Sequence, residues 1–216
     1  MTLFSIYKQN RLFFAGYLVL VIFALFILLG YSKVESHLLL NPLHYKFLDY
    51  VFRGATILGD GIFIIILAVL LWFLKKKYLA LMIVGGYLIS GIPVQVIKSF
   101  IESPRPAIFL KSINYSHFVE GVTLHNYNSF PSGHTASAFA LVVILSTYFK
   151  NNLSSLLFLL LATAVGYSRI YLSQHFMVDV FVGSLIGVLS GIAAYLFLDK
   201  WIRKITEKDK QKTSIE

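Results

Sequence analysis

Lys98, Arg105-Pro106, Pro131-Ser132-Gly133-His134, Ser168-Arg169, His175 and Asp179 bring three fixed cations, two imidazoles and a carboxylate into a mostly apolar chain. Ionisable groups at the edge of a bilayer are costly, so such a cluster is a functional-site expectation by default. The residue types read as a phosphate-binding and phosphate-cleaving centre. Arginine offers a planar fork that matches phosphate oxygens, and lysine a flexible point charge. The seven-residue step from Lys98 to Arg105 is close to two helical turns. Pro104 and Pro106 push the intervening chain out of helical geometry. Lys98 is therefore expected to end a helix, with Arg105 held on a stiff extended turn.

Pro131 to His134 precedes an apolar run and so starts a helix. The unpaired N–H groups and positive dipole end of a helix N-terminus favour an anion there. Gly133 lets backbone approach the ligand, while Ser132 supplies a hydroxyl and a natural N-cap. His134, in the first turn, is suited to giving a proton to a leaving oxygen. His175 and Asp179 stand four apart. On one helix face the carboxylate accepts the imidazole Nδ1 proton and leaves Nε2 free to attack. Arg169, six residues upstream, reaches the same phosphate.

The elements that must carry these groups are membrane helices. Hydrophobic residues make up 57% of the 216 and charged ones 13%, with mean hydropathy +0.75, well outside the range of soluble domains. Leu12–Tyr31 is an apolar run longer than a signal-peptide core and reads as an uncleaved first span. Lys33–Arg53 follows, with Phe47, Leu48, Val51 and Phe52 spaced as one face of a short interfacial helix. Further spans are expected at Ala55–Leu74, Tyr78–Ile97, Thr135–Phe149, Leu153–Tyr167 and Phe176–Leu198. Gly59-Asp60-Gly61 reads as a helix interruption. Gly183, Gly187 and Gly191 recur every fourth residue, a stripe for close helix packing.

The expected fold is thus an all-α polytopic bundle of six transmembrane helices. A short interfacial helix and a polar outer loop complete it, the loop bearing the first two strings. Residues 1–205 form one membrane domain and 206–216 a polar, disordered cytoplasmic tail. With both termini cytoplasmic, the inner side holds twelve of the nineteen Lys and Arg, as the positive-inside rule requires. All the strings then fall on the outer, periplasmic or extracellular face of the cell membrane. The net charge of +9 sits in juxtamembrane clusters, which argues for anionic lipid and against nucleic acid. With no cysteine, disulfides and thiolate metal sites are excluded.

The three strings together resemble the complete signature of the type 2 phosphatidic acid phosphatase superfamily, membrane lipid phosphatases related to vanadium haloperoxidases. The resemblance implies a metal-independent phosphomonoesterase or pyrophosphatase that works through a phosphohistidine, with no cofactor. In that scheme His175 attacks phosphorus, Asp179 orients it and His134 protonates the leaving group. Lys98, Arg105, Arg169, Ser132 and Gly133 hold the phosphoryl oxygens. The substrate would be a membrane lipid phosphate: a polyprenyl pyrophosphate, phosphatidylglycerol phosphate, phosphatidic acid or a lipid A phosphate. Competing readings are phosphoryl transfer to a second lipid through the same intermediate, and a non-enzymatic lipid transporter. A vanadate-dependent peroxidase fits less well, because six spans suit a lipid substrate. The outer-side carboxylates, Asp60 and Glu102 among them, show no metal-ligand clustering. His117 and His125 read as ordinary loop residues, Glu102 as a partner for a site cation, and Asp60 as a support for the site. His37 and His44 read as interfacial, and Tyr115, Phe118, Tyr127 and Phe130 as anchors of the loop.

Overall fold

The computed structural model describes residues 2–113, 115 and 117–213, with side chains through residue 207, and the described residues form helices and connecting loops without strands. Thr2 and Ser5 make a capping box that opens α1 (Leu3–Gln9), and α2 (Arg11–Gly30) follows as an almost wholly apolar helix. Ser32 and Glu35 form a second capping box at the start of α3 (Lys33–Leu40). α4 (Lys46–Ile57) is amphipathic. α5 (Gly61–Phe73) begins at Asp60, whose carboxylate accepts the Ile62 N–H at 2.7 Å. Then come α6 (Lys77–Phe100), α7 (Pro106–Ser112), α8 (Gly133–Phe149), α9 (Asn152–Tyr171), α10 (Met177–Phe197) and α11 (Asp199–Thr213).

The expectation of six spans is met in part. Four helices, α2, α6, α9 and α10, are long and apolar enough to cross a membrane. α4 and α5, bent by 58° at their junction, add a fifth if the pair counts as one. The run expected over Ala55–Leu74 is therefore two pieces, because Asp60 caps a new helix instead of continuing the old one. α8 is apolar but has 17 residues, about 25 Å of helix against a hydrocarbon core of about 30 Å. The interfacial segment is likewise two helices, α3 and most of α4. The tail expected to be disordered continues in α11 to Thr213. Its first turns dock, with Ile202 buried in the core and the Thr206 hydroxyl donating to the Ile202 carbonyl. Residues 214–216 of that tail lie outside the described residues.

α8 is the axis of the bundle, buried along most of its length and packed by α10, α9 and α6. Its approach to α10 is set by the glycine stripe. A Cβ on Gly183 would stand 2.6 Å from the Ser132 carbonyl oxygen, and one on Gly191 2.6 Å from Val143 Cβ. The outward faces of α2, α5 and α10 expose Phe26, Leu29, Ile62, Phe73, Leu189 and Phe197. Apolar surface on that scale belongs in lipid.

Candidate active site

The N-terminus of α8, the last turn of α9 and the start of α10 meet at one end of the bundle. There they enclose a cavity of about 490 Å³. Lys98, Arg105, Gly133, His134, Arg169 and His175 all line it. Asp179 stands behind His175, fully buried.

Local structure explains each placement. Lys98 lies in the last turn of α6, and its Nζ donates to the Asn128 carbonyl at 2.8 Å. Arg105 is extended (φ −84°, ψ 163°) and caps α7, which Pro106 opens at N1. Its Nε donates to the Tyr127 carbonyl at 2.9 Å and its Nη1 to Gln174 Oε1 at 2.9 Å. Burial lowers the pKa of this guanidinium from its ordinary value, opposed by the charge of Asp179. Arg169 belongs to α9, which runs four residues beyond the expected end at Tyr167. Its Nη1 donates to Thr56 Oγ1 at 2.5 Å, and its Nε is buried without a partner among the described residues.

Ser132 caps α8, its Oγ accepting from Thr135 Oγ1 at 2.8 Å and from the Thr135 N–H at 3.4 Å. It is fully buried and, unlike Gly133, does not line the cavity. The first-turn N–H groups of α8 have no acceptor in their own helix, and Gly133 and His134 present that end to the cavity. His134 Nε2 lies 3.4 Å from Asp60 Oδ2.

His175 and Asp179 do not share a helix face. His175 precedes α10, and Asp179 in its first turn reaches back. Asp179 Oδ2 accepts the Phe176 N–H at 2.9 Å and the Ser129 hydroxyl at 2.5 Å, and lies 3.5 Å from His175 Nδ1. With Nδ1 turned to the carboxylate, Nε2 is the nitrogen left for the cavity. Burial pushes the His175 pKa down to about 3; the contact with Asp179 opposes this and cationic Arg169 adds to it. The imidazole is therefore neutral and unprotonated at Nε2, the form a nucleophile needs. One further bond joins the strings: the Ser132 N–H donates to the Asp179 carbonyl at 3.0 Å.

Other expectations fare differently. His125 lines the cavity, whereas His117 stacks on His44 at 4.4 Å between ring centroids. His37, on the interfacial helix α3, is fully buried against protein, edge-on to Phe176 and 3.4 Å from the Ser173 hydroxyl. Glu102 is exposed and pairs with no site cation among the described residues. Sequence reasoning missed Ser129, Thr56, Gln174 and Arg53. Gln174 was the most accessible of these, a polar residue directly before His175 in a buried segment. Ser129 and Thr56 lie in loop and amphipathic helix, where a hydroxyl carries no signal. Among the described residues no three His, Asp or Glu side chains gather as metal ligands.

A family model described as PAP2 superfamily matches residues 76–203. The crystal structure of Aquifex aeolicus LpxE superposes with a TM-score of 0.65 at 31% identity, covering 78% of this chain and 98% of that one. A Bacillus subtilis structure, titled a transmembrane PAP2-type phosphatidylglycerolphosphate phosphatase, gives 0.61 at 25% identity, covering 90% and 97%. A Dictyostelium discoideum protein named as a probable sphingosine-1-phosphate phosphatase is 31% identical over 169 residues, 68% of this chain. The chain spans 38% of that relative's length.

Proposed function

Because the chain belongs to the PAP2 superfamily and is a phosphatase of that family, we propose that it removes a phosphoryl group from a membrane lipid through a phosphohistidine. In this reading residues 1–205 are the phosphatase domain, with six spans formed by α2, the bent pair α4 and α5, α6, α8, α9 and α10. Both termini are cytoplasmic and the site opens on the outer face of the cell membrane. The observation that carries this reading is the single cavity onto which three cations, a helix N-terminus and two imidazoles converge.

His175 Nε2 attacks phosphorus, an N–P bond forms and the P–O bond to the leaving oxygen breaks. His134 supplies the proton that oxygen takes. Asp179 holds the Nδ1 proton and stabilises the charge that develops on the ring, the orienting role a carboxylate plays in catalytic triads. Lys98, Arg105, Arg169 and the N–H groups at Gly133 bind the oxygens on which charge builds. Ser132 keeps that end of α8 open by capping it. Water then attacks the phosphohistidine, gives a proton back to His134 and breaks the N–P bond. The fixed cations supply the charge that a metal provides in other phosphatases.

Candidate substrates are a polyprenyl pyrophosphate, phosphatidylglycerol phosphate, phosphatidic acid and a lipid A phosphate, each of which holds phosphate at the headgroup level. Purified protein is expected to release phosphate from at least one of these in EDTA, without an acceptor lipid. His175→Ala is expected to lower the rate by more than about a thousandfold. Undiminished release by that variant would falsify the mechanism.

A further inference from the structure

We propose that Arg53, which lines the cavity beside the three signature cations, forms a second anion subsite, so that the preferred substrate is a lipid with two phosphates close together. This rests on the phosphatase reading above and narrows it. Arg53 comes from α4, outside the strings that mark the site. Thr56, one turn further along α4, is the residue whose hydroxyl accepts from Arg169 Nη1. Side chains three apart on a helix are neighbours, about 5–6 Å between Cβ atoms. The Arg53 guanidinium is therefore adjacent to the group that holds Arg169.

The four cations differ in how they are tethered. Arg105 and Lys98 donate at 2.8–2.9 Å to acceptors of the loop between the first two strings or to Gln174, and Arg169 donates to Thr56. Those bonds aim three cations at one point. Arg53, which is exposed, has one long hydrogen bond among the described residues, from Nη1 to the Glu120 carbonyl at 3.4 Å. Most of its five donors remain for a ligand. It forms no ion pair with a carboxylate among the described residues. The neighbouring backbone touches it: Gly121, at φ +75°, lies against the guanidinium, and a Cβ there would make ordinary van der Waals contact with Nη2 at 3.4 Å. Among the described residues no Asp or Glu lines the cavity. A phosphomonoester brings about −1.5 to −2 at neutral pH, which Lys98, Arg105 and Arg169, less the charge of the buried Asp179 carboxylate, already balance. A fourth, with His125 on the same wall, matches the charge of one more phosphate.

The second phosphate could be bonded directly to the first, as in a prenyl diphosphate, or be a phosphodiester a few bonds away, as in phosphatidylglycerol phosphate. The test compares two matched pairs on the full-length protein in detergent: a polyprenyl diphosphate with its monophosphate, and phosphatidylglycerol phosphate with phosphatidic acid. In Arg53→Ala, the two-phosphate to one-phosphate ratio of kcat/KM should fall about tenfold or more in one pair, chiefly through KM. Arg53→Lys should recover part of it. A fall confined to the prenyl pair supports a directly linked diphosphate, and one confined to the acyl pair supports the phosphodiester. Equal losses on all four substrates would make Arg53 a tether of the Glu120 loop and overturn the proposal, as would no loss at all. Wild-type protein inert toward all four sinks the phosphatase reading itself; wild-type activity with an unmoved ratio sinks the subsite alone.

Discussion

Ser129 shows how much a single hydroxyl adds to the site. It is fully buried, donates to Asp179 Oδ2 and lies 3.5 Å from His175 Nδ1. It therefore holds the carboxylate that holds His175, the proposed nucleophile, without facing the cavity itself. Ser129→Ala should leave substrate KM within about twofold and lower kcat about tenfold, the scale of one charged hydrogen bond. Ser129→Thr should restore part of the loss. A variant whose KM rises while kcat stands would instead place Ser129 in substrate binding. The ionisable members of the three strings were legible in the sequence because each is expensive in a bilayer and has no other reason to be there; Arg53 and His125, outside the strings, were not singled out as members of the site. The groups that aim them were not. Ser129, Thr56 and Gln174 are uncharged, and their value lies in contacts across 50, 113 and 69 residues of chain. Spacing rules see only neighbours along one helix.

At the scale of elements, the contact between α8 and α10 decides whether the second and third strings meet. The glycine stripe that marks it was visible in the sequence, and so was the interruption at Gly59-Asp60. What lengths alone did not reveal is that α9 extends through Arg169. Hydropathy fixes where apolar runs end, but caps and turns fix where helices do. Gly183 tests the contact directly, since its hypothetical Cβ meets the Ser132 carbonyl at the head of α8. Gly183→Ala should pry the two strings apart, lowering kcat/KM at least tenfold and the melting midpoint by several degrees. Gly30→Ala, at a position with open space around it, is the matched control and should change neither. Equal behaviour of the two variants in a thermal melt and a phosphate-release assay would remove α8–α10 packing from the account.

For the molecule as a whole, two buried imidazoles outside the spans set its response to acid. Burial pushes His37 down to about 4, with His44 adding to the fall, and His175 down to about 3. Unfolded histidine takes its proton near pH 6.5. Between about pH 6.5 and 4 the unfolded chain therefore binds more protons, and stability falls as pH falls. These contributions are complete above about pH 6.5 and are lost as pH drops through the folded values. Melting in detergent should come on the order of 10 °C lower at pH 4.5 than at pH 7, and His37→Gln should remove part of that slope. A flat profile would mean that these rings find water or a partner in acid. One oxygen adds a longer-term constraint. Asp179 Oδ2 lies against Nδ1 of His175, the ring proposed as nucleophile, and, through the Phe176 N–H, also closes the first turn of α10. A descendant with no further use for the reaction could shed His175 at little structural cost. It could not shed Asp179 until some other side chain had learned to end that turn. In a lineage that abandons phosphate chemistry, the carboxylate should outlive the histidine it serves.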